Sequence, residues 1–180
     1  MVEDNNFLID KRTFEISFYE MQVPFNNTEV IKFIKNLDMH EFQMMTTFGQ
    51  EKQILEKEPM TNFKNNLLYY LNIFVKKVIN KNQFTVKESW IQTYSENSYH
   101  PLHIHGMAEN EWSLIYYIQA TDKSSETNLY SPGHPYIDAV KKSVVPKTNK
   151  LVLFPSSLPH DVPPNKDKER IILSANLNID

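Results

Sequence analysis

The sequence contains no cysteine, which excludes a disulfide framework, thiolate zinc sites, iron–sulfur clusters and a cysteine nucleophile. Any metal must be held by His, Asp or Glu. Glycine is nearly as scarce: Gly49, Gly106 and Gly133 are the only three, and none belongs to a GxGxxG or GxxxxGK[ST] pattern. Dinucleotide binding and phosphoryl transfer therefore lack the loop that cradles phosphate. No apolar run approaches the roughly 18 residues of a membrane helix. An excess of positive charge is missing too, since 19 basic side chains face 22 acidic ones for a net charge of -3. No global field draws the chain to nucleic acid. The opening MVEDNNFLIDKR has neither a basic n-region nor an apolar h-region, so a cytoplasmic protein without membrane attachment is the expectation.

What is present fits one globular domain. The chain has 180 residues, 41% of them hydrophobic and 23% charged, enough to bury a core without a staple. We read residues 1–180 as a single α+β domain, with 1–82 a mainly helical support region and 83–180 a β-barrel core. In the first region Val30, Ile31, Ile34 and Leu37 predict a helix near 28–37, capped by Asn27 or Thr28. Phe63, Leu67, Leu71, Phe74, Val75 and Val78 predict a second over about 61–80, with Thr61 as cap. After residue 82 the period changes to that of strands. Phe84, Val86, Trp90 and Tyr94 share a parity, and SLIYYIQ, LVLFP and RIILSANLNI follow as short β-prone runs. In the last run Ile171, Leu173, Ala175, Leu177 and Ile179 fall on one face, and Arg170, Ile172, Ser174, Asn176 and Asn178 on the other. That polar face either meets solvent or lines the mouth of a small barrel. Of Tyr116 and Tyr117, one is expected to face the barrel interior and the other the core.

Five of the six histidines lie between residues 100 and 160. In Tyr99-His100-Pro101-Leu102-His103-Ile104-His105-Gly106, strand periodicity points the side chains of His103 and His105 to the same side. His160 lies beyond the apolar run LVLFP, and three imidazoles on one face suit iron(II), zinc, copper or nickel with positions left open. A pair of hydrogen-bonded histidines without metal is the plain alternative for the HxH by itself. Arg170 follows His160 by ten residues, where a guanidinium can grip a small dicarboxylate, and Tyr94 can donate a phenolic hydrogen bond to the same ligand.

The stretch from Trp90 and Tyr94 through HIH at 103–105, SLIYYIQ, NLYSPG, LVLFPSSLPHDVPP and RIILSAN resembles the iron(II)- and 2-oxoglutarate-dependent oxygenase superfamily. Within it the chain is similar to the prolyl-hydroxylase-like branch and to a 2OG-Fe(II) oxygenase subgroup with an HxH motif. The resemblance implies a double-stranded β-helix, a jelly-roll or cupin-like barrel flanked by N-terminal helices, with a metal at one end. It implies iron(II) on His103 and His160, 2-oxoglutarate anchored by Arg170 with Tyr94 as a second anchor, and dioxygen as co-reactant. The outcome would be hydroxylation of an unknown substrate: a small molecule, a protein side chain or a nucleobase. The superfamily's usual second ligand is Asp or Glu, where this chain has His105; Glu109 and Glu111 are the rival donors. Two other readings stand beside this one, a cupin-like three-histidine metalloenzyme that does not use 2-oxoglutarate and a non-catalytic β-sandwich binding module. His100 is read as a solvent-facing loop residue, with a place on the pocket rim as the alternative, His134 as a turn residue, and Asp161 as projecting away from the metal. Ser174 and Asn176, on the Arg170 face, can touch cosubstrate or substrate. Lys141, Lys142, Lys147 and Lys150 read as a solvated loop.

Overall fold

A computed structural model describes residues 16–50, 54–133 and 140–180; His134 lies outside them. The two predicted helices are present with altered ends. α1 spans Thr28–Ile34 and buries Val30 and Ile34. Asn27 precedes it without capping it: its amide donates instead to the Ile118 carbonyl at 2.6 Å and to Asn149 Oδ1 at 2.7 Å. Asn26 Oδ1 accepts from the Thr28 backbone at 3.0 Å. Sequence shows that a cap-type residue is there, but not that a buried carbonyl competes for it.

α2 spans Met60–Phe74 and buries Phe63, Leu67, Leu71 and Phe74 at helical spacing. Pro59 occupies the cap position expected for Thr61. The helix continues as a π turn, Val75–Ile79, that ends on Asn80 in the left-handed conformation. The wider turn adds a residue and shifts the phase. Val78, expected on the buried face, is therefore 49% exposed, and Ile79 packs against the core in its place.

Eleven strands form two antiparallel sheets among the described residues. β1 (Tyr19–Gln22), β2 (His40–Glu41), β3 (Met45–Thr46), β4 (Phe84–Ser95), β6 (Glu111–Gln119), β9 (Lys150–Pro155) and β11 (Glu169–Ile179) make the larger, in the order β1-β9-β6-β11-β4-β3-β2. β5 (His100–His103), β7 (Thr127–Tyr130), β8 (Lys141–Val144) and β10 (His160–Val162) make the smaller, in the order β5-β10-β7-β8. This is the jelly-roll arrangement of a double-stranded β-helix. The region 1–82 is more than helical support, since β1 pairs with β9 and β3 with β4, extending the large sheet at both edges.

Alternation along β11 separates two cores. Ile171, Leu173, Ala175, Leu177 and Ile179 join α1 and α2 in one; Ile172 joins Tyr94, Tyr117, Phe154 and Val162 in the other, between the sheets. The polar face of β11 thus faces the barrel interior, the second of the two sequence alternatives. Tyr116 packs toward the helices and Tyr117 into the barrel, as the alternation predicts. The shared parity of Phe84 and Val86 with Trp90 and Tyr94 fails at a β-bulge. Pairing steps from Asn176↔Glu88 to Leu177↔Val86, leaving Lys87 as the extra residue and turning Phe84 to the helix side. Among the described residues no helix is long and apolar enough to cross a membrane.

Candidate metal and cosubstrate site

β5 and β10 lie side by side, and their register sets His160 opposite His103. His105 follows just beyond β5, where its backbone N–H and that of Gly106 both donate to the Ser156 carbonyl, at 3.1 and 3.4 Å. Ser156 is buried at the end of β9 and its hydroxyl meets Ser113 Oγ at 2.9 Å. The FPSS segment therefore clamps the end of the HIH segment, a role not visible in the sequence. The result is three imidazoles whose ligand atoms all lie within 4.8 Å of one another.

Hydrogen bonds fix the tautomer of two of them. His103 Nδ1 is 2.7 Å from the Pro101 carbonyl and His160 Nδ1 is 2.9 Å from the Leu158 carbonyl. A carbonyl only accepts, so both Nδ1 atoms carry hydrogen and both Nε2 atoms keep a lone pair for a metal. His105 is braced by the Trp90 ring at 5.7 Å, itself met edge-on by Phe48 at 5.2 Å. Phe154 packs against His160 at 4.9 Å.

The rival carboxylates point elsewhere. Glu111 pairs with Lys87 Nζ at 2.8 Å and accepts the Ala108 N–H at 3.1 Å, and its carboxylate lies over Gly106, where a Cβ would collide with it. The Lys87 bond holds the Glu111 carboxyl below its ordinary value. Glu109 is exposed. Asp161 accepts from Asn128 Nδ2 at 2.7 Å and Tyr130 Oη at 2.9 Å and is not in the group of clustered donors. Lys150 is bound to Glu20.

Arg170 has 0% exposure. Its Nη2 donates to Thr127 Oγ1 at 2.8 Å, while Nε and Nη1 are buried without a partner. No ion pair among the described residues includes it. The guanidinium lies 4.7 Å from the Tyr94 ring centre and 5.2 Å from that of Tyr117, and Tyr117 Oη meets the same Thr127 hydroxyl at 2.8 Å. Sequence reading singled out Tyr94 and Arg170, which prove to be direct cross-strand partners; it left Tyr117 and Thr127 without a role. Asn165, also missed, is buried and its amide holds the Tyr94 carbonyl at 3.2 Å and the Asp167 carbonyl at 3.0 Å, tying the end of β4 to the turn that leads into Arg170.

His100 departs most from expectation. It is not a loop residue facing solvent: it stacks on His103 at 4.0 Å, its Nδ1 is 3.5 Å from Tyr94 Oη, and it lines the same cavity as the three imidazoles. Trp90, Gln92, Tyr94, Thr127 and Ser174 line it too, while Asn176 lies one step further along β11 and donates to Glu88 Oε1 at 2.6 Å.

Burial lowers the pKa of all four clustered histidines, to about 3 for His100 and about 4 for His105, and well below the ordinary value for His160; His103 is lowered in the same way. All four rings are neutral at neutral pH, and His103, His105 and His160 are the three placed to act as metal donors. Since each folded value lies below the unfolded 6.5, the unfolded chain binds more protons at acid pH. The metal-free protein should lose thermal stability as pH falls from 6.5 toward 4, with no contribution from these groups above 6.5. A melting midpoint that stays level across that window would count against the burial of the cluster.

The site suits the groups that the resemblance implies. Three neutral imidazole nitrogens match a first-row divalent metal, and a buried guanidinium with two idle donors matches a carboxylate. Comparison with known proteins agrees. Residues 88–176, which hold Tyr94, His103, His105, His160 and Arg170, match the family described as "Putative 2OG-Fe(II) oxygenase". No curated protein matches the chain. Among solved structures, a Pseudomonas putida prolyl-4-hydroxylase is 13% identical with a TM-score of 0.61, covering 91% of this chain and 92% of that one. The viral collagen prolyl hydroxylase of Paramecium Bursaria Chlorella virus-1, in complex with 2OG, is 14% identical with a TM-score of 0.62, covering 89% and 94%. The non-heme alpha-ketoglutarate-dependent epimerase SnoN of nogalamycin biosynthesis is 8% identical with a TM-score of 0.67, covering 90% and 77%. At such identities the likeness concerns the fold. The family match favours iron(II) and 2-oxoglutarate over both the cosubstrate-free cupin and the non-catalytic module. With its motif residues drawn together inside a double-stranded β-helix, the chain belongs to the 2OG-Fe(II) oxygenases.

Proposed function

We propose that this oxygenase is a hydroxylase in which His103, His105 and His160 hold iron(II) and Arg170 holds the far carboxylate of 2-oxoglutarate. The observation that carries this reading is the buried, uncompensated guanidinium: an arginine at 0% exposure with two unpartnered donors is costly to keep unless an anion completes it. Once bound, iron and cosubstrate supply dioxygen reduction coupled to oxidative decarboxylation of 2-oxoglutarate to succinate, with hydroxylation of a substrate C–H bond.

The chain's own groups do the rest. His103 and His160 present Nε2 because their Nδ1 hydrogens are committed to backbone carbonyls, so the donors need no reorientation. His105 takes the place of the family's anionic ligand, so the metal keeps more of its charge and anionic ligands are attracted more strongly. Thr127 and Tyr117 hold the guanidinium in place, and the Tyr94 hydroxyl stands ready as a second donor to the cosubstrate. Trp90 packs against His105 and Phe154 against His160. The iron(II)-loaded protein, given ascorbate and 2-oxoglutarate without a prime substrate, should release carbon dioxide and succinate slowly in equal amounts, and His103→Ala should abolish the release. Tight iron binding with no succinate above the protein-free background would refute the reading.

A further inference from the structure

The cavity beside the three imidazoles has about 20 Å³ of open space, room for a single water. 2-Oxoglutarate is many times larger, so a lining side chain must leave before it can enter. The walls differ in how firmly they are held. Tyr94, Thr127, Phe154 and His160 are between 0% and 4% exposed and lie on β4, β7, β9 and β10, each of which is paired on both sides. His100 lies on β5, the edge strand of the small sheet, which pairs with β10 alone and does so through an irregular register between His160↔His103 and Val162↔His100. Pro101, which follows, has no N–H to add to the ladder. The His100 side chain is retained by its stack on His103 and by a 3.5 Å contact to Tyr94 Oη, at the limit of a hydrogen bond.

Those two contacts also define where the ring stands. One face meets His103, a candidate metal donor, and the edge meets Tyr94, whose own ring lies against Arg170. The ring therefore spans the gap between the metal end and the carboxylate end of the site. We propose that His100 is a gate that fills the cosubstrate's place in the resting protein and swings away on its edge strand when 2-oxoglutarate binds. The inference rests on the assignment of Arg170 as the carboxylate anchor. A gate that is shut most of the time lowers the apparent affinity by the fraction of open molecules, so removing the ring strengthens binding.

Anaerobic calorimetry of 2-oxoglutarate binding to the iron(II)-loaded protein tests it, comparing wild type, His100→Ala, His100→Phe and Arg170→Ala. His100→Ala should bind about tenfold tighter and His100→Phe no tighter than wild type, with iron affinity in both within about twofold of wild type because His100 is not among the donors. Unchanged or weaker binding by His100→Ala, while Arg170→Ala loses affinity, would overturn the gate and leave the oxygenase site standing. Absence of binding in wild type and His100→Ala alike would overturn both.

Discussion

Replacing Arg170 with methionine should stabilise the cosubstrate-free protein and, in the same variant, weaken 2-oxoglutarate binding about thirtyfold or more. The two effects have one origin. At 0% exposure, with one hydrogen bond and two idle donors, the guanidinium carries a desolvation cost that no carboxylate among the described residues offsets. Exchanging uncompensated buried charge for a side chain of similar volume commonly gains about 1–4 kcal/mol. Contacts with the Tyr94 and Tyr117 rings return up to about 2 kcal/mol of that, so a net gain near 1 kcal/mol is expected, visible as a melting midpoint raised by a few degrees. Loss of a charge-assisted contact to a carboxylate costs about 2–5 kcal/mol, which is the fall in affinity. A variant that melts lower than wild type, or that keeps its affinity, would show that the arginine serves packing alone.

His160→Ala should weaken iron(II) binding on the order of a thousandfold, more than the 10–100-fold typical of a residue that only orients a ligand. His160 is 4% exposed, its Nδ1 is satisfied by Leu158, and removing it leaves two donors from one segment, His103 and His105. The same experiment on the neighbours identifies the third donor. His105→Ala should match His160→Ala, whereas Glu111→Gln should leave affinity unchanged, since that carboxylate is bound to Lys87. His105→Asp restores an anionic donor and should tighten binding. Calorimetry with iron(II) under nitrogen reads all four. Strong binding that survives His105→Ala and fails with Glu111→Gln would move the third position to the carboxylate.

How far the sequence could be read depended on whether the signal was local. The alternation of β11 predicted both of its faces, because a strand's side chains are sorted by backbone geometry alone. The HIH spacing put His103 and His105 on one side for a similar reason, while His160 joins them only through the pairing of β10 with β5. What stayed hidden lay in partner choice and in phase. Asn27 looks like a cap in isolation, yet an unpaired Ile118 carbonyl takes its amide. The inserted Lys87 and the π turn at Val75–Ile79 each shift a periodic pattern by one residue, and nothing in composition marks them. β2 and β3, two residues each, are too short to carry a period. His100 reads as a loop residue before proline until β10 pairs with β5, and Tyr117 and Thr127 acquire meaning only once Arg170 stands beside both.

Whether a histidine-bound iron and an arginine-bound 2-oxo acid share one site is read out by adding iron(II) and then 2-oxoglutarate to the metal-free protein under nitrogen. Visible absorption would be followed in wild type and in Arg170→Ala. A charge-transfer band should appear on the second addition, require iron, and be lost or shifted to far higher 2-oxoglutarate concentrations in the variant. A band of equal strength and affinity in both proteins would remove Arg170 as the anchor, and no band in wild type loaded with iron would rule out the shared site.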